Sequence, residues 1–376
     1  MKKRIFPLVC LIVTLLWSAP PVQGGQVLSG DYLQFAMQNG HFNWSTVTAG
    51  AQFRNSITGA FVDFTYPGTP FAGFSLGYYS AGTPREYTSD LFLEEFTTLS
   101  EQNQSFGSTN RVAWILSTPE LQLKRTISFG DNDKYAIITN IVLNQTLAPL
   151  TNVRWYEFVD VDMDQVLGTS LTVNDVRSLL AAPPSRDWVE SVGPISGWTM
   201  GFAAPSGVFG HDPIFSVNAY TSLVDYNNAS NDSVMGLQMT LPDIPPGWSA
   251  VSTLMVAFGA TAANARATYT SNSQLVPAPY FLIPGDFDLD QDVDGYDFLK
   301  WQRGESPTPL SATDLADWES NYGVEPLAAV STAVPEPATL VHVMLLVAIV
   351  HVGAFLRPTI RRGENSLVLR VDAATW

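Results

Sequence analysis

The sequence predicts a mostly β chain: a large antiparallel β-sandwich, then a small helical module, then a C-terminal membrane-spanning helix. Three observations carry this. Apolar and polar residues alternate along several segments between Gln26 and Pro284, with no long amphipathic helix and no internal repeat. Glycine and proline are frequent, at 27 and 25 residues, as many short strands joined by turns require. One apolar run, Thr339 to Leu356, reaches about 27 Å as a helix, enough for the hydrocarbon layer of a bilayer.

Composition narrows the class. Hydrophobic residues make up 46% of the 376 and charged residues 14%, which supplies a sizeable core and argues against disorder. The net charge of −16 repels phosphate backbones, so nucleic acid is excluded as a partner, and cations are attracted. The single cysteine, Cys10, lies in the leader, so no disulfide framework is available to the mature chain.

From the N-terminus, Lys2, Lys3 and Arg4 precede an apolar run from Ile5 to Trp17 and a small-residue stretch ending at Gly24-Gly25. Basic start, short apolar core and small-residue end make a secretory signal over residues 1–24, removed by signal peptidase near Gly24. The apolar core is too short for a full membrane span, which needs about 20 residues.

Residues 25–284 form the sandwich. Leu121, Leu123, Ile127 and Phe129 alternate with Gln122, Lys124, Thr126 and Ser128. The turn 130–134 leads to a second β-like run, Tyr135 to Leu143, so the two make a hairpin. A third strand is expected over Val153–Val161, and others at Phe61–Tyr66, Val112–Leu116, Trp198–Ala203 and Val251–Phe258. One short helix is expected over Ala260–Thr270. Two charged residues break the pattern: Arg125 shares the parity of Leu123 and Ile127, and Glu157 that of Trp155 and Val159. Both then point inward, where an unpaired charge costs several kcal/mol or more, so each needs a partner. They face each other as an ion pair, line a cleft between the sheets, or are turned outward by a bulge. Asp160, Asp162 and Asp164 end the third strand as alternating aspartates, either a second metal site or an exposed strand end.

Residues 285–323 carry the helical module. Asp286, Asp288, Asp290, Asp292, Asp294 and Asp297 occupy positions 1, 3, 5, 7, 9 and 12 of a loop. A hard cation with six to eight oxygen ligands, Ca2+, suits this spacing, and Val293 supplies the apolar residue that anchors such a loop. Phe298, Leu299 and Trp301 follow on a helix stopped near Gly304, and a second helix runs from about Ser311 to Tyr322. The segment resembles a dockerin-type repeat. The resemblance implies side-chain ligands Asp286, Asp288, Asp290, Asp294 and Asp297, with Asp292 offering its backbone carbonyl. Gln291 stands at position 6, where glycine normally makes the sharp turn, which weakens binding. No second acidic loop precedes the second helix, so a structural calcium clip fits better than docking to a cohesin.

After a linker, 324–333, comes Val334-Pro335-Glu336-Pro337, then the apolar run 339–356, then Arg361 and Arg362. The arginines would keep the far end cytoplasmic. This order over 334–362 resembles the PEP-CTERM sorting signal. The resemblance implies an exosortase-type membrane peptidase as partner, an inner-membrane precursor, and a product at the cell surface or outside the cell. His342 and His351 within the run and a cytoplasmic tail, 363–376, depart from the family pattern.

Function is less legible. No nucleophile elbow or phosphate loop is present, and His41 and His211 have no metal-ligand spacing. The expectation is a non-catalytic structural or carbohydrate-binding ectodomain that meets extracellular polysaccharide, with Trp44, Tyr78 and Tyr79 as candidate sugar platforms. The alternative is a secreted, glycosidase-like enzyme using carboxylates such as Glu94, Glu95, Glu157 and Asp160.

Overall fold

A computed structural model describes residues 25–324, apart from 43–49, 55–57, 66–70, 91, 165–166, 170, 183–184, 217, 289–291, 307 and 309. The chain divides into two compact units, Met1–Gly323 and Val324–Trp376.

Regular structure is mostly antiparallel β, built around the expected hairpin. Leu121–Gly130 pairs with Tyr135–Asn144, with Leu123 opposite Val142 and Ile127 opposite Ile138. The turn closes when the Asp133 carboxylate accepts the Gly130 amide at 2.7 Å. The hairpin sits inside a ten-stranded sheet. Thr109–Ser117 and the edge strand Thr97–Asn103 lie on one side. On the other, Ser249–Gly259 is followed by Thr199–Ala203, Trp188–Val192, Thr172–Arg177 and Ala229–Asn231. The third expected strand forms as Leu150–Asp160, but not beside the hairpin. It is the centre of a five-stranded sheet, between Ala72–Ser80 and Val234–Thr240. A second five-stranded sheet contains Gln26–Ser29, Leu33–Gln38 and Ala51–Arg54.

Both small sheets face the large one, which makes the sandwich. Phe35 lies 5.2 Å from Phe129 and 5.8 Å from Phe258. Phe74 and Trp155 stack at 4.8 Å, and the Arg125 guanidinium lies 4.7 Å from the Phe74 ring. Each such buried aromatic contributes roughly 1.5–3 kcal/mol by leaving water. The outer face of the central five-stranded sheet is also covered, since Tyr156 and Phe158 pack with Ala219 and Val234. That is why Leu150–Asp160 is buried on both faces and shows no clean alternation.

The two inward charges meet. Arg125 Nη2 lies 2.5 Å from Glu157 Oε1, and Nη1 reaches Oε2 at 3.0 Å. Arg125 also donates to Asn140 Oδ1 at 2.7 Å and to the Gly40 carbonyl, while Trp155 Nε1 donates to Glu157 at 3.1 Å. Burial pushes the Glu157 carboxyl up and Arg125 pulls it down. The pair is part of the core.

Three α-helices are described: Ala262–Asn272, Gly295–Gln302 and Ala312–Asn321. The first is capped by Thr261, whose hydroxyl accepts the Asn264 amide. The longest spans about 17 Å, half of what a bilayer core requires. The membrane-spanning part of the expected fold class is therefore corrected: among the described residues no helix is long and apolar enough to cross a membrane. Residues 339–356, to which that helix is assigned by sequence, lie outside the described residues.

Candidate functional site

A cleft of about 460 Å³ opens at the Thr172–Arg177 strand, with Asp175, Arg177, Arg186, Asp225, Asn227 and Arg266 in its lining. Asp175 and Glu190 are directly opposite where this strand pairs antiparallel with Trp188–Val192, so both carboxylates stand on one face. Like charges in that position repel unless cations intervene. Two do. Arg177, two residues from Asp175 and on the same face, pairs with Asp175 and lies 3.6 Å from Glu190. Arg266, from the Ala262–Asn272 helix, closes on both oxygens of Glu190. Trp188 Nε1 completes the set, donating to Glu190 Oε2 at 2.6 Å.

The surroundings hold this arrangement. Trp188 stacks on Tyr269 of the same helix at 5.9 Å. Gly201 is needed beneath it, because a Cβ there would lie 2.2 Å from the indole. Behind the strand, His211 Nε2 donates to the Glu190 carbonyl at 3.1 Å, and burial draws this imidazole down to about 3, so it stays neutral. The rim is organised by Asp187, whose carboxylate accepts the amides of Leu179, Leu180 and Ala181. Arg186 completes the rim, reaching Asp225 at 3.2 Å and Ser178 at 3.3 Å.

Electrostatically the cleft is balanced. Three guanidiniums, Arg177, Arg186 and Arg266, and two carboxylates, Asp175 and Asp225, line it, and the buried Glu190 beneath pairs with Arg266. Burial raises the Asp175 carboxyl; Arg177 opposes this and Glu190 adds to it. Arg266 is held more firmly protonated by its hydrogen bond to Glu190. The lining thus offers donors and acceptors side by side, and each of its charges is already paired with an opposite one.

The acidic loop of the helical module closes on itself. One carboxylate oxygen each from Asp286, Asp288 and Asp297 lie within 4.8 Å of one another, as do those of Asp292, Asp294 and Asp297. Five of the six expected aspartates are therefore drawn to one place, and Asp290 lies outside the described residues. Asp297, fully buried, accepts the amides of Phe287, Asp288 and Asp294. Asp294 caps the Gly295–Gln302 helix through the Tyr296 amide. Val293 is buried, and its carbonyl accepts the Gly323 amide at 2.8 Å. Phe298 packs on Trp318 at 4.8 Å, and Trp318 Nε1 donates to the Asp294 carbonyl, so loop and helices form one bonded unit.

The other expected residues are placed as follows. Asp160 and Asp162 come together, but their third partner is Asp232, from the turn before Val234–Thr240. Asp164 instead accepts the amides of Ile195 and Ser196, at 2.7 and 3.1 Å. Burial, then Asp162 and Asp232, push Asp160 up to about 8; burial and Asp232 push Asp162 to about 6. Tyr78 is core, its hydroxyl donating to Glu120, while Tyr79 is half-exposed against Tyr220. Glu95 is occupied by the Thr88 amide. His41 is buried and drawn down to about 4, and among the described residues neither it nor His211 joins a metal-ligating group. Trp44, Val334, Pro335, Glu336, Pro337, Arg361 and Arg362 lie outside the described residues. Sequence reading missed the cleft, since Asp175 and Glu190 become neighbours only through strand pairing and Arg266 arrives from a distant helix.

No protein-family model matches the chain, and no curated protein matches it. Among solved structures, the Slr1438 protein of Synechocystis is 10% identical at a TM-score of 0.34, covering 63% of this chain and 96% of its own. A galactose mutarotase related enzyme from Lactobacillus acidophilus is 7% identical at 0.34, covering 63% and 98%. An alpha-mannosidase from Enterococcus faecalis is 8% identical at 0.38, covering 70% of this chain and 32% of that one. These are partial likenesses to proteins named largely for carbohydrate chemistry, and at such values they assign the chain to no family.

Proposed function

We propose that the chain is an exported, surface-sorted protein whose β-sandwich binds carbohydrate in the cleft over Glu190, with calcium held in the 286–297 loop as a structural clip. The observation that carries the binding reading is the cleft's lining. A sugar hydroxyl donates and accepts at once, and paired guanidinium and carboxylate groups meet both needs. An uncharged ligand fits a cleft whose charges are already paired, because none is left alone when water leaves. The volume lies within the range of small-molecule sites. Export and exosortase sorting rest on the order of parts at the two ends of the sequence, 1–24 and 334–362. Signal peptidase and an exosortase-type peptidase are the partners this implies.

One observation favours a second reading, hydrolysis. Asp175 is a carboxyl held above its ordinary range inside a cleft, beside a second carboxylate bound by arginine. A protonated Asp175 could serve as general acid, and such activity would fall as pH rises through its raised value. The two readings separate on immobilised neutral polysaccharides. Binding predicts retention of the full chain with no reducing sugar released. Replacing two rim residues, Arg186→Gln with Asn227→Ala, should abolish retention while leaving the circular dichroism spectrum unchanged. Release of reducing sugar, lost on Asp175→Asn, would establish the enzyme. Failure to bind any polysaccharide would remove both.

A further inference from the structure

A second acidic cluster stands apart from the calcium loop and the cleft. Asp160 is the last residue of the Leu150–Asp160 strand and has the parity of Tyr156 and Phe158, so its side chain joins the covered outer face of the sheet. Asp162 follows, fixed by its amide to the Phe64 carbonyl at 2.8 Å. Asp232 reaches in from the turn between Ala229–Asn231 and Val234–Thr240, whose Val234 is opposite Asp160 in the sheet. One carboxylate oxygen from each lies within 4.8 Å of the others. Among the described residues no ion pair is made by any of the three.

Acidic residues crowd together on many surfaces without a ligand, but one atom here sets this cluster apart. Asp160 is 8% exposed, and its Oδ1 is buried with no hydrogen-bond partner. A buried acceptor without a donor is unfavourable, and more so when charged. Asp162 is also buried, at 5% exposure, while Asp232 is open to solvent and gives a path of entry. Three carboxylates from two backbone segments make an all-oxygen, hard donor set. Magnesium keeps most of its waters and uses one or two carboxylates; calcium accepts more protein oxygens in looser geometry.

We infer that Asp160, Asp162 and Asp232 form a second calcium site, which ties the end of the central strand to the turn before Val234. It does not depend on the carbohydrate reading or on the 286–297 loop.

Calorimetric titration of the full chain with calcium chloride, in excess magnesium, tests this. Asp232 is exposed, so Asp232→Asn should fold normally and should remove one equivalent, or weaken it at least tenfold. Asp288→Asn should remove a different equivalent, from the loop. Asp164→Asn should change neither. Loss on Asp232→Asn alone, with no loss on Asp288→Asn, would keep this site and remove the loop. Unchanged stoichiometry and affinity on Asp232→Asn, with its fold intact by circular dichroism, would overturn the inference.

Discussion

Arg125→Met should destabilise the protein by about 3–5 kcal/mol in urea unfolding, a large part of a typical stability of 5–15 kcal/mol. The reason is what the substitution leaves behind. Glu157 would keep one donor, Trp155 Nε1, in a site with almost no solvent access. Asn140 Oδ1 and the Gly40 carbonyl would lose their Arg125 donors as well. Glu157→Leu should cost a similar amount by stranding the guanidinium against the stacked Phe74 and Trp155 rings. The double variant should be more stable than either single one, because removing both charges removes both desolvation costs. Measured losses that simply add would show that the two groups do not act as a pair.

Withdrawing calcium should unfold the helical module and spare the hairpin of the large sheet. Four aspartates meet around Asp297, and carboxylates at such range repel strongly without a cation. The module's own apolar core is small, centred on Phe298, Trp301 and Trp318, and cores of that size need a staple. At calcium a hundredfold above Kd, binding supplies about 2.7 kcal/mol. In chelator, hydrogen-exchange protection in Gly295–Gln302 and Ala312–Asn321 should then fall about a hundredfold, with the Leu121–Gly130 strand unaffected. Asp297→Ala should give the same loss in the presence of calcium, since it also strands three amides. Protection unchanged by chelator would show that the loop is held by its own hydrogen bonds.

The parts of this structure visible in the sequence are those where one face is wet and one is dry. The hairpin Leu121–Gly130 and Tyr135–Asn144 alternates because it is buried on one side, and the parity of Arg125 and Glu157 placed them inward correctly. Ala72–Ser80 escapes notice because nearly every residue is buried. Thr97–Asn103 escapes because an exposed edge strand of threonine, serine and glutamine carries no apolar period. The acidic loop is legible because its aspartates fall at alternate positions within one short stretch. Asp232 is not, since only pairing of Val234–Thr240 with Leu150–Asp160 brings it to Asp160. The cleft is hidden for the same reason, as its carboxylates and arginines belong to separate strands and a helix.

The central claim, that this cleft takes a sugar, comes down to one titration. Calorimetry of the full chain against a soluble oligosaccharide from the retained polysaccharide should show saturable binding. That binding should weaken at least tenfold in the Arg186→Gln, Asn227→Ala variant and persist in Asp232→Asn. Equal affinity in the rim variant and the wild-type chain would contradict the claim.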